Sequence, residues 1–216
     1  MTRWITLVAI VALVFGAGVV QADTWGTLTP PAWAPTPFVL DGTDEPTTGR
    51  DISPGLWWQM DSTYHYFRME LEASPSSPGN FASIYGIYLD DLAGGPLGTD
   101  IDYVPAVYDG VDIILDGHFS DQSGSGDTDM SLDIAHLHIW NPGTDDYDVT
   151  NLAATEYYFD FDKSGADTGT LDWRVAKTNF DDDSFLVCGS AHTNVGISFD
   201  TTECRRTPEP TTMALM

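Results

Sequence analysis

The sequence predicts an all-β protein, an antiparallel β-sandwich of jelly-roll or immunoglobulin-like build, and three observations carry that expectation. The stretch Asp61–Glu72 alternates from His65 onward, with Phe67, Met69 and Leu71 on one side and Arg68, Glu70 and Glu72 on the other. Strand side chains repeat every two residues, so this is a strand with one face in a core and one face in water. Short runs of the same kind recur along the chain, separated by clusters of Gly, Pro, Asp and Ser. No amphipathic helix of useful length and no internal repeat interrupts them. Nine or so short strands divided by turns make a sandwich.

In chain order, residues 1–22 read as a secretory signal peptide. Arg3 gives the positive start, Ile5–Val20 the apolar run and Val20-Gln21-Ala22 the small-residue cleavage pattern. Residues 23–37 are proline-rich and predict an extended lead-in. The domain itself is expected over residues 38–204, with a tail over 205–216. Phe38, Val39 and Leu40 before Asp41-Gly42 suggest a short edge strand, and Trp57-Trp58-Gln59-Met60 runs into the opening strand. The turn formers Ser74–Asn80 then lead to a second strand, Ser83–Leu89, expected to pair with the first in one antiparallel sheet. Further strands are expected at Asp100–Tyr108 (an edge or bulged strand because of Pro105), Val111–Leu115, Leu132–Trp140, Glu156–Phe161, Leu171–Val175, Phe185–Ser190 and Gly196–Asp200. Ser120–Thr128 reads as a loop and Ala176–Phe180 as a single helical turn.

The chain carries 33 acidic against 8 basic side chains, a net charge of −25, and 42% of it is hydrophobic. That hydrophobic share excludes a disordered polyanion, while the charge excludes nucleic acid and anionic lipid as partners. All but six of the acidic residues are aspartates, which suit turns and hard-cation sites. Cys188 and Cys204 bracket the last expected hairpin symmetrically, and in an exported protein that placement predicts a disulfide.

Two metal patterns stand out. Asp160, Asp162, Ser164 and Asp167 lie in D-F-D-K-S-G-A-D, with oxygen ligands at positions 1, 3 and 5 and a glycine at 6, as a calcium loop requires. Position 12 is Leu171 rather than a bidentate glutamate, so a plain Asp-rich hairpin turn is the alternative. Asp90/Asp91, Asp100/Asp102 and Asp181–Asp183 are further candidate oxygen ligands. His136 and His138 share one strand face with Trp140 and could chelate zinc, with His118 as a third ligand. Ser190 and His192 are close in sequence but lack the strand-turn-helix setting of a nucleophile. No pair of carboxylates is singled out for glycoside hydrolysis, so a non-enzymatic protein is expected.

The order of these signals resembles the sandwich of family-nine carbohydrate-binding modules and DOMON-like domains. Asp41-Gly42, Tyr64-His65-Tyr66-Phe67-Arg68, Ile87-Tyr88-Leu89-Asp90-Asp91, Gly98-Thr99-Asp100-Ile101-Asp102-Tyr103 and Leu171-Asp172-Trp173-Arg174-Val175-Ala176 match its successive motifs over roughly Val39–Thr201. Asp172 stands where the motif has glutamate, and Ala176 where it has proline. The likeness implies a polysaccharide or cell-surface glycan as partner. Trp58, Trp140, Tyr66 and Tyr147 are the rings on which sugars would stack. Counting back from Phe67 puts Trp57 in the core and Trp58 outside, and a register slip through Asp61 and Ser62 would reverse them. A haem site of the DOMON type would need Met69 or Met60 with His192. The tail Thr207–Met216 resembles the opening of a PEP-CTERM sorting signal, read as truncated before its apolar span. It implies exosortase-type processing and delivery to the surface or matrix of a Gram-negative-type bacterium. The reading is an exported, non-enzymatic glycan-binding sandwich. The alternatives are a structural, calcium-stabilised matrix protein and a haem-carrying redox domain.

Overall fold

The computed structural model describes residues 23–41, 50–73, 83–90, 111–121, 130–144, 146–162, 168–180, 184–193 and 198–208. The strands are β1 (Asp23–Gly26), β2 (Val39–Leu40), β3 (Arg50–Asp51), β4 (Gly55–Met60), β5 (Tyr64–Ala73), β6 (Ser83–Asp90) and β7 (Ile113–Asp121). They continue with β8 (Met130–Asn141), β9 (Asp146–Asn151), β10 (Tyr157–Asp162), β11 (Thr168–Ala176), β12 (Leu186–Thr193), β13 (Ser198–Thr201) and β14 (Arg205–Arg206). One 3-10 turn, Lys177–Asn179, falls where a helical turn was expected.

Two antiparallel sheets pack face to face, which makes the protein an all-β sandwich. Sheet I runs β1-β10-β11-β5-β4-β2, with β3 also on β5, and sheet II runs β13-β12-β6-β7-β8-β9, with β14 also on β12. The expected pairing of β5 with β6 does not occur. β5 lies between β11 and β4 in sheet I, and β6 lies between β12 and β7 in sheet II. β5 and β6, consecutive in sequence, thus belong to different sheets. Period-2 patterning places a face toward a core but says nothing about which neighbour pairs.

Alternation fills the space between the sheets. Leu56, Trp58, Phe67, Met69, Leu71, Phe159, Leu171 and Trp173 of sheet I meet Tyr85, Ile87, Leu89, Ile113, Leu115, Phe119 and Val187 of sheet II. Close approach is needed at Gly189, where a Cβ would come within 2.9–3.1 Å of Leu56 and Met69 side-chain atoms. Met69, the candidate haem ligand, is thus enclosed by hydrocarbon.

The face assignment of the two tryptophans is reversed. Asp61 Oδ1 accepts the backbone N–H groups of Thr63 and Tyr64, at 2.6 and 2.8 Å, and Asp61 N bonds Tyr64 O. This tight turn makes β4 and β5 a hairpin in which Trp58 faces Phe67 and Trp57 faces Arg68. Directly paired residues share a face, so Trp58 joins Phe67 in the core and Trp57 lies on the outer face. There Trp57 is buried beneath the lead-in, its Nε1 donating to Ala34 O at 3.0 Å. Gln59 Nε2 likewise donates to Pro31 O, and Arg68 stacks over the Trp33 ring. The lead-in is accordingly part of the fold. It supplies edge strand β1 on β10 and a cover for the outer face of sheet I.

The C-terminal staple is as expected. β14 pairs with β12 in the register Leu186↔Arg206 and Val187↔Arg205, which brings the next residue pair, Cys188 and Cys204, opposite each other. They form a disulfide with a Cα–Cα distance of 4.5 Å. Thr207, at the start of the expected tail, is buried, and its Oγ1 accepts Phe185 N.

Candidate metal centre

The outer face of sheet II gathers side chains from three neighbouring strands. In β7, Ile113, Leu115, Gly117 and Phe119 point inward, so Ile114, Asp116 and His118 point outward. In β8, Ala135 and Leu137 pack on the core, which sends His136, His138 and Trp140 outward. Cross-strand register pairs Asp116 with His136 and Ile114 with His138. The register shifts between the pairs His118↔Ile134 and Phe119↔Leu132, a bulge that falls at Asp133 of β8. Bulges re-aim neighbouring side chains.

Asp116 is therefore ringed by three imidazoles. Its Oδ2 contacts His118 Nε2 at 3.1 Å and His138 Nε2 at 3.0 Å, and its Oδ1 contacts His136 Nδ1 at 3.2 Å. Asp116 and His138 are buried, at 1% and 3% side-chain exposure, while His136 and His118 are open to solvent at 15% and 25%. Burial on its own would raise the Asp116 carboxyl. The hydrogen bonds from His118, His136 and His138 outweigh it and hold the group well below the usual carboxylate range. An ionised carboxylate only accepts, so the three ring nitrogens donate to it.

One oxygen of Asp116 and one nitrogen each of His118 and His136 lie within 4.8 Å of one another. A tetrahedral zinc ion with bonds of about 2.0–2.1 Å has neighbouring ligand atoms roughly 3.3 Å apart. His118 Nε2 lies 3.1 Å from Asp116 Oδ2 and His136 Nδ1 3.2 Å from Oδ1, each near that spacing, though to different oxygens of the carboxylate. Imidazole-rich donor sets select transition metals, whereas calcium takes oxygen ligands. Comparisons with protein-family models, with curated proteins and with solved structures each returned no match to this chain. The site's chemistry therefore has to speak through its own residues.

Sequence reasoning paired His136 with His138 and added His118, but it missed Asp116, the group all three touch. A readable signal was there. In I-I-L-D-G-H, Asp116 and His118 stand two apart on one face of an otherwise apolar strand, which is the same i, i+2 spacing as the histidine pair. His138 is buried on this face, being 2% exposed.

The expected sugar platform is dispersed. Trp58 lies in the core, its ring stacked on His65 and its Nε1 donating to His65 Nδ1 at 3.3 Å, so it is not a surface ring. Tyr66 is buried on the outer face of sheet I, donating its hydroxyl to Asp61 Oδ2 at 2.8 Å. Tyr147 is buried on the outer face of sheet II, its hydroxyl donating to Val111 O. Trp140 is half-buried against Tyr147, their centroids 5.2 Å apart in an edge-on pair. Of the four, only Trp140 keeps substantial exposure, and it lies on the face that carries the histidines.

Of the expected calcium ligands, Asp160 lies in β10 opposite Thr170, and Asp162 ends that strand. Ser164 and Asp167, with Asp91, Asp100, Asp102, Asp181–Asp183 and the expected strand 100–108, fall outside the described residues. So does the side chain of His192.

Proposed function

We propose that this chain is an exported, non-enzymatic surface protein whose sandwich binds one divalent transition-metal ion, of the zinc class, on the outer face of sheet II. The observation that carries the reading is the convergence of His118, His136 and His138 on the buried carboxylate of Asp116. Asp116 with the Nε2 of His118 and the Nδ1 of His136 would hold the ion. To do so, each imidazole shifts its proton to its other ring nitrogen, as any metal-bound neutral imidazole must. His138, donating to Asp116 Oδ2, would keep the carboxylate oriented. Export is supported by the signal-peptide pattern of residues 1–22 and by the disulfide, a bond of oxidising compartments. The tail points to exosortase-type sorting and to the surface or matrix of a Gram-negative-type bacterium.

The test is a zinc titration of the full chain, stripped with EDTA, against a chromophoric chelator. One equivalent is expected to bind. Asp116→Asn and His136→Ala should each weaken it by well over tenfold, more than the roughly 10–100-fold lost with outer partners alone. Equal binding by parent and both variants would refute the assignment.

A second reading, calcium at the β10 end of sheet I, is favoured by one atom. Asp160 Oδ1 is buried and accepts no hydrogen bond from any described residue. If calcium binds there, millimolar calcium raises the melting temperature and Asp160→Asn abolishes the rise. A rise that persists in the variant places the ion elsewhere.

A further inference from the structure

We infer that the open edge of β9 is a docking strand for an extended, cationic segment of a partner protein. The segment adds to sheet II beside β9, with basic side chains on one face and apolar ones on the other. This surface is separate from the metal site and does not depend on it.

β9 ends the strand order of sheet II, and its register with β8 decides which of its peptide groups are used. Leu152 N donates to Ala135 O at 2.8 Å, which makes Ala135 and Leu152 a hydrogen-bonded pair of the antiparallel ladder. Such pairs alternate along a ladder, so Asp146, Asp148 and Thr150 also turn their peptide groups toward β8. Those of Tyr147, Val149 and Asn151 turn toward the open side. Asp146 Oδ1 accepts Tyr147 N at 2.7 Å, so the edge presents the amides of Val149 and Asn151. The hairpin holds this edge in shape. Gly143 N donates to Asn141 Oδ1 at 3.0 Å, and Asn141 Nδ2 donates to Asp148 Oδ2 at 2.9 Å. A strand already ordered loses little freedom when another is laid beside it.

The side chains of the edge define the partner. On the outer face Val149 is 53% exposed, one of two large apolar side chains that stand exposed among the described residues. On the opposite face of β9, Asp146, Asp148 and Thr150 are exposed as well, so sheet I does not cover this strand. The chain carries a net charge of −25, and β6, β7, β8 and β9 contain no lysine or arginine. Side chains directly opposite each other on paired strands lie about 4.5–5.5 Å apart, where unlike charges attract and like charges repel. A basic residue opposite Asp148 and an apolar one opposite Val149 therefore satisfy both faces. Strand addition of this kind draws affinity from main-chain hydrogen bonds and specificity from alternate side chains. A second copy of the chain is kept off by the same aspartates and the same net charge. The charge that blunts this edge toward self-association is the charge that selects a cationic strand.

The test titrates a dye-labelled hexapeptide of alternating lysine and valine with the full chain and follows fluorescence anisotropy. Saturable binding is expected, with the Val149 and Asn151 amides newly protected from hydrogen exchange. The same hexapeptide with every backbone amide N-methylated keeps its charge but has no donors for the ladder. It should bind roughly tenfold more weakly, the loss of one or two hydrogen bonds, a readout that needs no protein variant to fold. Val149→Pro removes an amide that β8 does not use, so the hairpin persists, and affinity should fall by a similar factor. Asp148→Asn should weaken binding more than Glu203→Gln, which removes the same charge from an exposed site away from this edge. Equal binding of the methylated and unmethylated peptides would mean attraction by net charge alone and overturns the inference. Unchanged affinity in Val149→Pro, equal losses in the two charge variants, protection elsewhere on the chain, or no binding at all overturns it too.

Discussion

Among the described residues, each sheet buries one aspartate on its outer face, and the two are held in different ways. On sheet I, Asp172 is fully buried and paired with Arg68, Nε to Oδ1 at 2.8 Å and Nη2 to Oδ2 at 2.9 Å, a two-bonded fork across the β5–β11 register. On sheet II, Asp116 is equally buried and faces three imidazoles. A guanidinium has donors only and keeps its charge at any working pH, so the Asp172 pair is closed and has nothing left to offer a ligand. An imidazole has a lone pair to give once its proton moves, so the Asp116 cluster can exchange protons for a cation. The covers differ as well. The lead-in roofs sheet I, with Trp33 over Arg68 and Ala34 on Trp57, whereas the open side of the Asp116 cluster is formed by its two most exposed rings. One buried carboxylate is held by a permanent cation, and its counterpart by three groups that can each give up a proton.

The largest effect expected from this comparison is on sheet I. Burial pushes the Asp172 carboxyl above its usual range, more than the Arg68 bond and charge pull it down. Arg68→Ala leaves that buried carboxylate unpaired and should cost about 3–5 kcal/mol of unfolding free energy by urea denaturation. His136→Ala in EDTA should cost far less, because His118 and His138 still donate to Asp116. A similar loss in both variants would erase the distinction between the faces.

Next in size is the response to zinc. At a free concentration one hundred times its dissociation constant, an ion that binds only the folded state adds about 2.7 kcal/mol. That gain should vanish in Asp116→Asn and survive in Arg68→Ala, read as a shift in denaturation midpoint. If the Arg68 variant loses it and the Asp116 variant keeps it, the working face has been assigned to the wrong sheet.

The smallest effect tests the turn that sets the tryptophan register. Backbone hydrogen bonds from Thr63 and Tyr64, then the Tyr66 hydroxyl, lower the Asp61 carboxyl below its ordinary 3.8. A carboxyl lowered by folding contributes stability above its unfolded value, and that contribution is lost as pH falls from 3.8 through the folded value. Asp61→Asn should therefore be less stable than the parent at neutral pH by under about 1 kcal/mol, solvent screening an exposed group. The gap should narrow as pH drops below 3.8. A gap independent of pH would assign the turn to backbone geometry alone.

Much of the sandwich was legible because alternation is a local property. β5, β6, β8, β10, β11 and β12 lie where the period-2 runs placed them, and the even bracketing of the last hairpin predicted the Cys188–Cys204 bond. β9 was missed because Asp146, Asp148 and Asn151 dilute the alternation of Tyr147 and Val149. β1 was missed because its four residues gain a partner only from β10, more than 130 residues away.

The sequence by itself determined the alternation within each strand, because the pleat sends successive side chains to opposite faces. It determined the acid excess and the absence of lysine and arginine from the strands that carry the histidines. Only the tertiary structure decided what meets across strands. A three-residue turn at Asp61 reversed Trp57 and Trp58, since one step of register flips every side chain behind it. The crossing from β5 to β6 separated two strands that adjoin in sequence. Asp116 met His136 and His138 because β7 and β8 pair in one register, and no spacing within a single strand encodes its partner's alignment.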